Sequence, residues 1–214
     1  MFARPPEAGK VKSRLSPALP ARLAFDLYRG MLADALAVSA RAAEERFVYW
    51  AESPLAGAME ATAEFGVREQ HGADLGARLE HAFAELLPGP ADRAVVIGAD
   101  CPELDAREIA VAFERLDSHD VVLGPTRDGG YYLIGLRRVA PALFKEIAWG
   151  GDQVLRQTSE RAAAAHLRVG LLASLEDVDT PADLVRLVAR LATGGHGAPH
   201  TRAALRALGL LPAG

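Results

Sequence analysis

With 214 residues, half of them hydrophobic, the chain can bury one substantial core, and one domain is the default expectation. A formal charge of -4 and an isoelectric point near 5.9 argue against a nucleic-acid partner, because no basic face dominates. One cysteine excludes an internal disulfide, six scattered histidines lack metal-ligand spacing, and no apolar run reaches the ~20 residues of a membrane span. With no signal peptide visible either, a cytoplasmic protein without a membrane partner is expected.

Short apolar runs alternate with longer helical patterns, which points to βαβ units around a mainly parallel sheet. Met1-Phe2-Ala3 is only the stub of a first strand, against the about five or six residues usual for one. Either the start lies upstream or this strand is short and weakly held. Leu23, Leu27, Met31 and Ala35 recur at helical spacing and predict an amphipathic helix over 20–44. Phe47–Trp50 reads as a strand, 54–64 as a helix, and the surroundings of Val67 as a short strand. Residues 74–87 are helical by pattern until Pro88-Gly89-Pro90 breaks them. A strand at 94–99 and a helix at 105–116 follow. Val121–Pro125 and Tyr131–Leu136, joined by Asp128-Gly129-Gly130, read as a hairpin appended to the parallel core. Helices are expected at 141–146 and 151–164, a strand at 168–172, and a helix from Pro181 to Leu191. Thr180-Pro181 fits an N-cap followed by proline at the first helical position. Gly194-Gly195-His196-Gly197 reads as a loose connector before a terminal helix at 199–209.

The most informative stretch is Ile97-Gly98-Ala99-Asp100-Cys101-Pro102, a strand that stops on a carboxylate. Ligands of open α/β sheets collect at the carboxyl ends of strands, and Asp100 there can hold a divalent cation beside a phosphate. The plainer alternative is a turn or cap aspartate. Upstream, Arg4-Pro5-Pro6-Glu7-Ala8-Gly9-Lys10-Val11-Lys12-Ser13-Arg14 carries four cations on a Pro/Gly loop. Its backbone N–H groups and cations suit a pyrophosphate, with Arg14 fit for bidentate contact and Lys10 and Lys12 as point charges. It is not a Walker loop.

Asp74-Leu75-Gly76-Ala77-Arg78 is either a capped helix start with a surface ion pair or a loop over the nucleotide. Asp128 stands on a Gly-Gly turn beside two tyrosines and is a candidate general base for an incoming hydroxyl. Asp177 and Asp179 alternate, so at most one faces a given metal. Asp183, in the first turn of a helix, is expected to serve the helix dipole. Trp149 either anchors a loop in the core or forms a wall of the acceptor pocket.

In this order, these segments resemble the bacterial DUF2064 group of A-type glycosyltransferases, which includes members linked to arsenosugar biosynthesis. The matching pieces are Gly9, Lys12 and Arg14 of the Pro-rich loop, Asp74-Leu75-Gly76, Gly98–Pro102, Asp128–Tyr131, Trp149 with Val154, and Asp177–Thr180. They span residues 4 to about 190. The resemblance implies an α/β, single-domain GT-A-like (nucleotide-diphospho-sugar transferase) fold, with a mainly parallel mixed sheet and helices on both faces. Residues 1–192 would form that domain, with 193–214 a connector and short helix packed on it. It further implies Mg2+ or Mn2+ on Asp100 and Asp179. Taken with the loop readings above, the expected nucleotide contacts are Gly9, Lys10, Lys12, Arg14, Asp74, Gly76, Arg78 and Gly98, of which the resemblance itself puts Lys12 and Arg14 on the phosphates. Asp128, Asp100 and Arg14 would be the catalytic residues. Two departures stand out: the first strand is cut short, and Arg4 replaces an expected lysine.

Partners implied are a nucleotide-sugar, or an NTP, and a small-molecule acceptor; a homodimer is compatible with the sequence. Within the fold, glycosyl transfer and nucleotidyl transfer make similar electrostatic demands on Asp100, Lys12 and Arg14. The first loop has prolines and a single glycine, where nucleotidyltransferases carry a more glycine-rich loop. The Asp-Gly-Gly-Tyr-Tyr turn suits hydroxyl recognition. Glycosyl transfer is therefore the favoured expectation, and a non-catalytic nucleotide-binding domain the least favoured.

Overall fold

Apolar runs and amphipathic helices alternate as the sequence indicates, and the computed structural model describes them over residues 1–16, 18–54, 56–194 and 197–212. In chain order the first elements are β1 (Phe2–Ala3), α1 (Ala21–Ala42), β2 (Phe47–Trp50), α2 (Ala56–Ala61), β3 (Gly66–Glu69) and α3 (Leu75–Leu86). Then come β4 (Ala94–Ile97), α4 (Ala106–Arg115), β5 (Val121–Pro125), β6 (Tyr131–Leu136), α5 (Val154–Ala164), β7 (Val169–Leu171), α6 (Pro181–Ala192) and α7 (Pro199–Ala207). Short 3-10 turns occupy Ser13–Leu15 and Pro141–Phe144, the latter where a helix over 141–146 was expected. Of the expected connector at 194–197, Gly195 and His196 lie outside the described residues.

The chain divides into two compact units. The first gathers Met1–Arg68, Gly98–Asp105 and Glu176–Gly214, and the second Glu69–Ile97 and Ala106–Leu175. In the first unit the sheet order is β1-β2-β3, with β1 parallel to β2 and Phe2 opposite Tyr49. Two residues make a short strand, but this one is firmly tied. Tyr49 N–H donates to Met1 O at 2.8 Å, Ala51 N–H to Ala3 O at 2.9 Å, and the Phe2 ring packs, tilted by 39°, with its centroid 5.5 Å from that of Tyr49. Burial of Phe2 and Ala3 supplies what ladder length lacks.

The core of this unit is built from α1, α6 and α7. Leu27 and Met31, both fully buried, meet Leu187, Leu191 and Leu205. α7 sits close against α1 at Gly30, where an added Cβ would lie 2.9 Å from the His200 carbonyl oxygen. Next to it, the buried Asp34 accepts the His200 and Thr201 backbone N–H groups at 3.0 and 2.8 Å. An acid on the inner face of α1 thus caps a helix from the far end of the chain.

The second unit holds a mixed sheet of order β4-β6-β5-β7. The hairpin is not appended to an edge, as the sequence led us to expect: β6 lies inside the sheet, antiparallel to both β4 and β5, while β7 runs parallel to β5. Its residues from Tyr132 to Leu136 are all buried, so they present no polar face that an edge position would wet. Gly124 makes room for the Tyr132 ring, which an added Cβ would meet at 2.4 Å. The strand expected over 94–99 ends at Ile97, and Gly98 begins the segment that belongs to the first unit. The class is nonetheless the expected α/β one, with parallel and mixed sheets.

Candidate active site

The basic loop is shaped by two left-handed backbone positions. Gly9 has φ 83°, which glycine adopts freely, but Lys12 has φ 51°, an uncommon conformation for a residue with a side chain. Lys12 also starts the Ser13–Leu15 turn, accepting Leu15 N–H at 3.0 Å, and Leu15 is fully buried. Anchored in this way, the lysine side chain turns inward and keeps only 4% of its surface exposed. Strain held at one residue by its surroundings is a mark of functional sites.

The Lys12 ammonium bonds two carboxylates from distant segments, Asp100 Oδ1 and, at 2.8 Å, Asp179 Oδ1. Burial alone would lower the lysine pKa, but the charges and hydrogen bonds of Asp100 and Asp179 outweigh it and raise the value. Lys12 is therefore a permanent cation. Arg14 stays largely exposed, its Nη1 3.7 Å from Asp179 Oδ2. Lys10 points to Glu7 at 2.8 Å and Glu52 at 3.6 Å, away from this cluster. Tyr28 of α1 grips the loop at its start, donating to Arg4 O at 2.8 Å and accepting Arg4 N–H at 3.1 Å. Burial, with the nearby Asp100 charge, pushes its hydroxyl up to about 12.

Asp100 and Asp179 are held from behind. Val178 N–H donates to Asp100 O at 3.0 Å, which stitches the two segments together. Asp183 closes a capping box with Thr180 at the start of α6. The same Oδ2 accepts Asp179 N–H at 3.1 Å and Thr180 N–H at 2.6 Å. Burial would raise the Asp183 pKa, but the Thr180 and Asp179 donors and Arg186 bring it below the ordinary carboxylate range. Asp183 therefore fixes the backbone that carries Asp179, a larger role than serving the helix dipole.

The donor set fits a small divalent cation. Both carboxylates are partly exposed, Asp100 by 48% and Asp179 by 34% of the side chain. Among the described residues no group of three or more His, Cys, Asp or Glu converges to cage a metal. Two hard carboxylates, with water and phosphate completing the shell, match the way Mg2+ is usually bound.

Asp74, Gly76, Arg78 and Asp128 sit in the second unit. Asp74 caps α3, accepting Ala77 N–H at 2.8 Å. Arg78 does not turn to Asp74: its Nε donates to Gly72 O at 3.2 Å. Gly76 is buried, and an added Cβ would lie 2.8 Å from both Phe144 O and Trp149 Nε1. Close packing of α3 on the Trp149 segment explains that glycine, and Trp149 is a packing residue on this side. Asp128 Oδ1 accepts Thr126 Oγ1 at 2.6 Å and Gly130 N–H at 3.0 Å. Gly129, with φ 90°, docks the turn on the start of α5, where its carbonyl accepts Leu155 N–H at 2.9 Å. The structure thus brings Lys12, Arg14, Asp100 and Asp179 together, with Gly9 shaping their loop. Gly98, in the first unit, would carry a Cβ 4.0 Å from the Asp100 backbone nitrogen, an ordinary contact. Neither the hold of Tyr28 on the loop nor the tie from Asp183 to Asp179 is visible in the sequence. The one signal for Tyr28 was a hydroxyl within the apolar row Ala24, Leu27, Met31.

The profile of a family described as "Uncharacterized protein conserved in bacteria (DUF2064)" matches residues 32–151. The chain belongs to the DUF2064 family. A crystallised protein of Desulfovibrio desulfuricans G20, proposed to be a nucleotide-diphospho-sugar transferase, is 32% identical. The match covers 98% of this chain and 94% of that one, with a TM-score of 0.87. Rv0371c of Mycobacterium tuberculosis H37Rv has a TM-score of 0.54 at 20% identity, covering 87% and 95% of the two chains. A cytidylyltransferase of Leptospira borgpetersenii serovar Hardjo-bovis (strain JB197) has a TM-score of 0.52 at 12% identity, covering 97% and 92%. The last two likenesses are of fold. No curated protein matches the chain. This DUF2064 protein thus has the nucleotide-diphospho-sugar transferase fold, and among its described residues no helix is long and apolar enough to cross a membrane.

Proposed function

We propose that this DUF2064 protein is a divalent-metal-dependent glycosyltransferase that moves a sugar from a nucleoside-diphosphate donor to a small-molecule acceptor. The observation that carries the reading is the convergence of Asp100 and Asp179 on the Lys12 ammonium, with Arg14 beside them. Lys12 holds Oδ1 of each carboxylate and relieves their repulsion; the Oδ2 atoms, that of Asp179 lying 3.7 Å from Arg14 Nη1, would be the ones to take a metal. Mg2+ or Mn2+ on those oxygens would neutralise charge on the departing diphosphate. The largely exposed guanidinium of Arg14, beside Asp179, would grip a phosphate through two parallel bonds. In the transfer itself, the acceptor oxygen bonds to the anomeric carbon as the bond to the diphosphate oxygen breaks. The nucleoside diphosphate leaves with the electron pair. We assign the acceptor proton to Asp128, whose Oδ1 is already fixed by Thr126 and Gly130.

The alternative is nucleotidyl transfer, in which a phosphorylated substrate attacks the α-phosphorus of an NTP and pyrophosphate leaves. Lys12 and Arg14 suit that charge as well, and the fold is shared with a cytidylyltransferase. A thermal-shift screen of UDP-, GDP-, dTDP- and CDP-sugars against free NTPs, each with Mn2+ or Mg2+, separates the two. Stabilisation by a sugar nucleotide supports glycosyl transfer; stabilisation by an NTP and by no sugar nucleotide overturns it.

A further inference from the structure

Glu103 stands three residues after Asp100, and Glu176 three residues before Asp179. Both are drawn onto a single side chain of α6. Arg190 Nε donates to Glu103 Oε2 at 2.7 Å, and its Nη1 lies 2.9 Å from Glu176 Oε2. Its Nη2 lies 2.6 Å from the same Glu103 oxygen at an angle that makes no directed bond, so that arm contributes charge alone. Glu176 also accepts Arg186 Nε at 2.7 Å, the other arm of Arg186 pairs with Asp183, and Asp183 accepts Asp179 N–H at 3.1 Å. A continuous run of bonds therefore leads from the Asp100 segment, through α6, to the backbone of Asp179. The Val178–Asp100 backbone bond closes it into a ring.

We propose that Arg190 is a positioning residue for the metal–diphosphate site, setting the spacing of Asp100 and Asp179 through Glu103 and Glu176. The proposal rests on the reading of Asp100 and Asp179 given above. Side-chain exposures of 19% for Glu103, 22% for Glu176 and 31% for Arg190 leave these pairs less screened than open surface pairs. Without the guanidinium the two partly buried acids lose the cation they share; Glu176 keeps Arg186, so the uncompensated charge falls mainly on Glu103, and its repulsion from Glu176 pulls on the segments that carry Asp100 and Asp179. α6 itself stays in place, because Leu187 and Leu191 anchor it in the core. Groups behind a metal ligand of this kind commonly change metal affinity without touching the metal.

The test uses the nucleotide-free protein and two readouts, hydrogen exchange at the Val178 amide and Mn2+ binding by EPR. In Arg190→Met the Val178 amide should exchange roughly tenfold faster, and Mn2+ should bind roughly tenfold more weakly. Arg190→Lys should recover part of both. The neutral combination Glu103→Gln, Glu176→Gln, Arg190→Met should recover more than Arg190→Met alone, since the repulsion is gone. Unchanged Val178 exchange and Mn2+ affinity in a folded Arg190→Met protein overturns the proposal. So does general unfolding of all three variants, which would make the role one of bulk stability. If the wild type takes up no Mn2+, the metal reading fails, and Val178 exchange still decides whether Arg190 sets the spacing.

Discussion

Replacing Asp34 by alanine should destabilise the protein far more than an acid-to-alanine change on a helix normally does. Asp34 is only 2% exposed, and its two oxygens accept the His200 and Thr201 N–H groups at 3.0 and 2.8 Å. The N-cap residue of α7, Ala198, makes no side-chain cap of its own and has a left-handed backbone with φ 53°. Removal of the carboxylate therefore strands donors at the start of a docked helix. A hydrogen bond to a charged acceptor is worth about 1.5–3 kcal/mol, and the terms overlap when one group supplies both. Charge at a partly buried helix end adds up to about 2 kcal/mol. The expected loss is roughly 2–4 kcal/mol, equivalent to a fall in melting temperature of roughly 5–15 °C for a chain of this size. Asp34→Asn should recover little, because its amide has one oxygen and would set an NH2 group against the second N–H. Urea denaturation followed by circular dichroism measures both variants. A loss below about 0.5 kcal/mol for Asp34→Ala, or an Asn variant equal to wild type, would refute the capping argument.

Gly129→Ala should cost roughly 2–4 kcal/mol, because φ is 90° and the new Cβ would lie 2.0 Å from the Asp152 carbonyl oxygen. Gly150→Ala, with φ 83° and open space around it, should cost only about 1 kcal/mol; equal denaturation midpoints for the two would sink this distinction. The Asp183 carboxyl titrates below its ordinary value in the folded chain, so its stabilisation is complete above the unfolded pKa and fades as pH falls through the folded one. Asp183→Asn should therefore flatten the loss of stability between about pH 5 and 3, and an unchanged slope in pH-dependent urea melts would count against it. Asp128→Asn should lower kcat by roughly 100-fold with little change in donor binding; a wild-type kcat would remove it from acceptor activation.

What the sequence made legible was local. The spacing of Leu27, Met31 and Ala35, the Asp74 cap and the Thr180-Pro181 start of α6 each write their structure within a few residues. The central place of β6 was not legible, because a hairpin signal fixes only its β5 partner and says nothing of β4 on the other side. Asp34 was hidden for a similar reason: its partners lie more than 160 residues on. Resemblance and loop chemistry point to Asp100, Asp179, Lys12 and Arg14, yet nothing in their spacing shows that one buried lysine joins both aspartates. Nor does it show that Lys10, equally basic, turns toward Glu7 and Glu52. Gly76 shows the converse, since a glycine read as nucleotide contact is explained by Phe144 and Trp149.

If Asp100 and Asp179 hold a divalent cation beside a nucleoside diphosphate, calorimetric titration of UDP, GDP, dTDP and CDP into wild-type and Asp100→Asn protein, with and without Mn2+, will show it. At least one diphosphate should bind the wild type roughly tenfold more tightly or better with Mn2+, and Asp100→Asn should abolish that gain. A metal-dependent gain of the same size in Asp100→Asn, or none for any diphosphate in the wild type, would contradict the account.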